Sequence, residues 1–168
     1  MANNKTQGVY TYDVDEVDMM QLLKSVRGIE ADLRKDINNR IKAASASASE
    51  QLVRDLAVAA VSGSAPPQAA FVANSIRVKK DRLAAVRIGG KRGGRTRSGA
   101  TAGHLLFGSE RGTTGAPDRD GSVRNRFVKP HNAGGYWIRP TINAFIDTKA
   151  WKDYHRAVVQ ILNAEGLL

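Results

Sequence analysis

The chain has 168 residues, 26 Lys and Arg against 16 Asp and Glu for a net charge of +10, and no cysteine. That length suggests one domain able to bury a core without staples, and the missing thiol excludes disulfides, thiolate metal sites and thiol nucleophiles, in keeping with a reducing compartment. No segment reaches the ~20 apolar residues of a membrane helix, and residues 1–18, acidic at Asp13, Asp15, Glu16 and Asp18, lack the apolar run of a signal peptide, so a soluble intracellular product, or part of something assembled inside a cell, is expected.

Residues 1–14 read as a flexible arm with few apolar side chains; alternation of Tyr10, Tyr12 and Val14 allows it to add a strand to a neighbouring sheet. From there, 15–168 is expected to be a single α+β domain. A long helix is predicted from about Asp15 to Val61. Its stripe runs through Met19, Leu22, Val26, Ile29, Leu33, Ile37, Ile41, Ala44, Ala48, Leu52, Leu56 and Ala60 in steps of three and four. Unbroken it would span roughly 65–70 Å. The small-residue stretch 43–49 admits two readings: a place for another helix to approach closely, or a weak point where the helix bends. Gly63 and Pro66-Pro67 signal the stop.

Two strands are predicted next, Phe71 to Lys79 and Leu83 to Ile88, joined as a hairpin through Lys80-Asp81-Arg82. The glycine-rich basic segment 89–103 is expected to be a mobile loop. His104 to Phe107 is a short apolar run, helical turn or strand. Residues 111–126 form a second polar loop, expected to be mobile, and Phe127 to Pro130 a brief extended piece. A last helix is predicted to start at Pro140, with Ile142, Phe145, Ile146, Ala150, Tyr154, Val158, Ile161 and Leu162 on its apolar face and Gly166 at its end. The expected class is therefore α+β: a long N-terminal helix, a small antiparallel sheet with flexible loops, and a C-terminal helix.

Catalytic and metal constellations are not assembled. Gly89-Gly90-Lys91-Arg92-Gly93-Gly94 lacks the spacing of a phosphate loop. His104, His131 and His155 have no helical zinc spacing, and Asp118 with Asp120 lacks the other ligands of a calcium loop. No serine sits in a nucleophile elbow. We expect no enzyme and no cofactor. Charge is the exception: residues 66–103 hold nine cations against Asp81 alone. Within them Lys79, Lys80, Arg82, Lys91, Arg92, Arg95 and Arg97 form a candidate interface for an anionic partner, nucleic acid or an acidic protein surface. Interleaved aromatics for stacking single strands are missing, so any nucleic-acid contact is expected to be to phosphate.

The order of elements, with Phe107-Gly108-Ser109 ending one apolar run and Trp137-Ile138-Arg139-Pro140-Thr141 opening the last helix, resembles the tail-component family of long-tailed bacteriophages. These are the gene-product-ten-like connector and neck proteins of lambdoid phages. Leu106 stands where that family commonly has an acid, and Thr141 where it commonly has Ala. The resemblance implies a non-enzymatic virion protein, assembled in the host cytoplasm, forming a six-fold ring in the neck or at the top of the tail. Its partners would be further copies, adjacent head–tail connector proteins, and tail-tube or tail-terminator proteins; no membrane is involved. Phe107, Gly108, Trp137, Arg139 and Pro140 would then be structural, with Trp137 packed beneath the helix start. A channel that passes DNA must not hold it tightly, so an acidic face of an adjacent ring is the expected partner of the basic segment. Sequence-independent nucleic-acid binding through residues 77–97 is the alternative function.

Overall fold

A computed structural model describes residues 9–13, 17–112 and 129–168. Its elements are β1 (Val9–Asp13), α1 (Val17–Ser25), a 3-10 turn (Val26–Gly28), α2 (Ala31–Ala60), α3 (Ala69–Ala73), β2 (Arg77–Lys79), β3 (Ala85–Gly89), α4 (Ala102–Arg111), α5 (Ile138–Phe145) and α6 (Lys149–Ala164). The class is α+β as expected, with a long helix near the N-terminus, a small sheet and a C-terminal helix. The strands form one sheet in the order β1-β3-β2, in which β2 and β3 are the expected antiparallel hairpin. Residues 9–13, expected within a flexible arm, instead supply an edge strand of the chain's own sheet. The rest of the arm and positions 113–126 of the second loop lie outside the described residues, as do Phe127 and Val128.

The chain divides into two compact units, each drawn from distant segments. The first takes in Met1–Tyr10, Arg54–Arg77 and Arg87–Thr141, the second Thr11–Val53, Val78–Val86 and Ile142–Leu168.

In the second unit the predicted long helix is interrupted. Gly28 ends the 3-10 turn, because glycine gives up more backbone freedom in a helix than any other residue. After the break Leu33 is exposed, and the buried stripe resumes at Ile37, Ile41, Ser45, Ala48, Ser49 and Leu52. The small-residue stretch does not interrupt α2, and the hairpin comes close to it. Ser45 Oγ donates to the Asp81 carbonyl, while Ser49 Oγ accepts the Ala85 N–H at 3.0 Å and donates to Ser45 O at 2.7 Å. A larger side chain at either serine would hold the hairpin away.

The single C-terminal helix of the sequence reading is two helices. Thr148 begins α6, its Oγ1 accepting from Trp151 N at 3.3 Å and donating to Phe145 O at 2.6 Å. A side chain that satisfies both ends of the break makes it a stable corner. Trp151, Tyr154, Val158 and Leu162 form the buried face of α6. The rings of Phe145 and Tyr154 meet Trp151 edge-on at 6.3 and 5.4 Å. Arg40 pairs with Glu165 at 2.7 Å.

In the first unit, residues 71–73, expected in a strand, belong to the helical turn α3, leaving only Arg77–Lys79 of that strand extended. Ala69 and Val72 are buried, and α3 packs on α4. His104 to Phe107 belongs to that longer helix α4, whose Ala102, Leu105, Leu106 and Ser109 recur at helical spacing on its buried face. Ser75 Oγ donates to Val72 O at 2.6 Å and accepts from Gly89 N at 2.8 Å, tying the end of α3 to the end of β3.

Candidate functional site

The two motif segments meet in the first unit, around a residue the sequence reading passed over. Glu110, in the last turn of α4, is buried at 5 % exposure. Its Oε2 accepts from Trp137 N at 3.3 Å and Ile138 N at 2.8 Å, and its Oε1 from Arg139 N at 2.8 Å. These are the N–H groups that a helix start leaves without partners. The next residue, Pro140, has no N–H to satisfy, and Thr141 N already reaches Trp137 O. One carboxylate and one proline therefore complete the first turn of α5, and the negative charge sits at the positive end of the helix dipole.

Around this clamp the backbone is closely fitted. Tyr136 N donates to Glu110 O at 2.7 Å, Asn132 N to Arg111 O at 2.8 Å, and Trp137 Nε1 to Ser109 O at 3.0 Å. Gly112 and Gly135 have φ of 70° and 81°. A β-carbon at Gly135 would overlap Glu110 Oε1, and one at Gly112 would overlap the Pro130 carbonyl. Both glycines are thus required by close approach as well as by conformation. Burial pushes the Glu110 carboxyl above its ordinary range; the N–H groups of Arg139, Ile138 and Trp137 and the charge of Arg111 oppose this but do not cancel it.

The remaining motif residues take different places. Trp137 is buried, as expected. Phe107 is 50 % exposed and carries the Tyr10 ring edge-on at 4.6 Å. Gly108 O accepts Gly112 N at 2.9 Å, ending α4. Arg139 and Pro140 are exposed, so Arg139 contributes through its backbone N–H. Leu106 is fully buried, and the acid of α4 stands one helical turn later at Glu110. Glu110 had a signal in the sequence: an acid closing an apolar helical run directly before the loop whose far side opens a helix.

The seven basic candidates are divided between the two units. Lys79, Lys80 and Arg82 belong to the second unit and Lys91, Arg92, Arg95 and Arg97 to the first. Lys79 is paired with Asp81 at 3.0 Å. Burial acts to raise the Asp81 carboxyl, but the Lys79 hydrogen bond, the Arg82 N–H and both cationic charges outweigh it and hold it low. The Arg82 carbonyl accepts from Tyr154 Oη, and burial pushes that phenol up. These residues brace the hairpin turn. The other four side chains are exposed, and among the described residues none of them is in an ion pair.

The segment bearing those four, expected as a mobile loop, has its own hydrogen bonds. Arg95 and Thr101 form an antiparallel bridge, Thr96 N donates to Ala100 O at 2.8 Å, and Gly99 N to Thr96 O at 2.9 Å. Gly103 N donates to Gly90 O at 3.0 Å, bringing the loop's start to the first turn of α4. His104 caps that turn, its Nδ1 accepting from Thr101 N at 3.2 Å. Among the described residues no group of His, Asp and Glu is placed to hold a metal ion, and no helix is long and apolar enough to cross a membrane. Comparison of the chain with family models, with curated proteins and with solved structures finds no match.

Proposed function

We propose that the protein is a structural component of a phage head–tail junction, a ring in the neck or at the top of the tail that joins the DNA-filled head to the tail tube. The observation that carries this reading is the Glu110 clamp. It joins the two segments on which the family resemblance rests, through hydrogen bonds from Trp137, Ile138 and Arg139. Two segments held together by one structural job in this chain are better support than two separate short matches. The clamp serves architecture: its carboxylate is fully engaged by backbone N–H groups, which leaves it no substrate to act on. The outer strands β1 and β2 also leave two sheet edges, suited to contacts between neighbouring copies in a closed ring.

On this reading the partners are further copies in a six-fold ring, an adjacent connector protein, and a tail-tube or tail-terminator protein. Native mass spectrometry tests it, on the protein alone and mixed with tail-tube and connector proteins from the same gene cluster. A closed ring, alone or in the mixture, is expected. A strictly monomeric protein under both conditions overturns the reading.

A further inference from the structure

We propose that the loop bearing Lys91, Arg92, Arg95 and Arg97 is a preformed phosphate-binding element that follows the backbone of duplex nucleic acid without reading its sequence. The inference is independent of the ring reading, since it rests on this loop alone. Four exposed cations fall within seven residues, and among the described residues none has an ion-pair partner. Such a cluster repels itself, and an external anion relieves that repulsion.

The loop is also held in shape before any partner arrives. The Arg95–Thr101 bridge and the Thr96–Ala100 hydrogen bond close it, and Thr96 Oγ1 accepts from Ala100 N at 3.1 Å and lies 3.0 Å from Ser98 Oγ. A partner therefore bears less of the ordering cost that weakens binding by an unstructured basic segment.

The composition of the loop chooses between the two anionic partners. Residues 91–99 are Lys, Arg, Gly, Gly, Arg, Thr, Arg, Ser and Gly, with no apolar or aromatic side chain. Protein interfaces are anchored by aromatic, apolar and Arg side chains around a desolvated centre, and of these the loop offers only Arg. Phosphate oxygens need only charge and hydrogen-bond donors, which guanidinium groups and backbone N–H groups supply. With no aromatic side chain in the loop, single strands gain no stacking advantage over a duplex.

The test is the salt dependence of binding to a random-sequence DNA duplex, measured by fluorescence anisotropy between about 50 and 200 mM salt. Each phosphate neutralised contributes about 0.9 to the slope of log affinity against log salt, so replacing Lys91, Arg92, Arg95 and Arg97 together by Gln should make it shallower by about 3.6. Replacing Lys35, Lys42, Lys149 and Lys152 by Gln removes the same charge from exposed positions elsewhere and should leave the slope unchanged. Changing the three loop arginines to Lys should also preserve it. An equal loss of slope in both Gln variants overturns the proposal, because bulk charge would then suffice. So does a protein that leaves the duplex free while retaining polyglutamate through the loop, which would assign the loop to an acidic protein surface.

Discussion

At Glu110 a carboxylate is taken almost out of water and held by three backbone N–H groups whose residues lie 27 to 29 positions away in the chain. Glu110→Ala removes every acceptor while the donors stay buried, so it should destabilise the protein by about 3 kcal/mol or more, read by urea denaturation. The pH dependence has a definite sign. Because burial raises the folded-state carboxyl above its ordinary value of 4.5, the folded state binds the proton more tightly than the unfolded state. Stability from this group is fully present below that ordinary value and is lost as pH rises through the folded-state value. Wild-type stability relative to Glu110→Gln should therefore decline as pH rises above 4.5, in denaturation midpoints taken pH by pH. A difference that grew with pH would show the N–H groups outweighing burial. Trp137, at 1 % exposure with Nε1 bonded to Ser109 O, should cost about 3 kcal/mol or more when replaced by Ala. A change within about half a kcal/mol would place its side chain outside the core.

At the scale of elements, side-chain size and hydrogen bonding decide where helices break and what packs on them. The Ala/Ser stretch of α2 is continuous helix because its serines bond to nearby groups while their small volume admits residues 81–85. Ser49→Ala leaves the buried Ala85 N–H without its acceptor and should cost about 1–3 kcal/mol. Ser45→Leu should cost a similar amount through overpacking against the hairpin. Both are measured by chemical denaturation, and a neutral Ser45→Leu would show that the hairpin does not need the close approach. The helical period in the sequence identified Ile37, Ile41, Leu52 and Leu56 as core residues. It ran straight through Gly28 and the turn before Thr148 because apolar spacing persists by chance across a short break. Phe71 to Ala73 read as strand because aromatic and β-branched residues favour strands, and packing of α3 on α4 overrode that preference.

For the whole molecule, the division into two units left no mark in composition. It passes through α2 between Val53 and Arg54, inside an unbroken helical pattern with no linker. Net charge acts on assembly as a whole. Copies carrying +10 repel one another, so formation of the proposed ring should be favoured by added salt, whereas the proposed duplex contact should be weakened by it. Sedimentation velocity across a salt series reads the first effect. A ring that dissociates as salt rises would mean that ion pairs between copies, rather than sheet edges and apolar contacts, hold it together.

By itself the sequence determined the α+β class, the stop of α2 before Gly63, a hairpin joined through residues 80–82 (although β3 starts at Ala85 rather than Leu83), the burial of Trp137 and the concentration of cations at 91–97. Each depends on neighbours a few residues apart: helical spacing, turn chemistry, or simple proximity of charge. Only the tertiary structure decided that Glu110 completes the first turn of α5, that Ser45 and Ser49 receive the hairpin, and that the basic loop is hydrogen-bonded. These outcomes depend on which distant N–H and carbonyl groups become buried together, and a buried polar group must find its partner wherever the fold brings one.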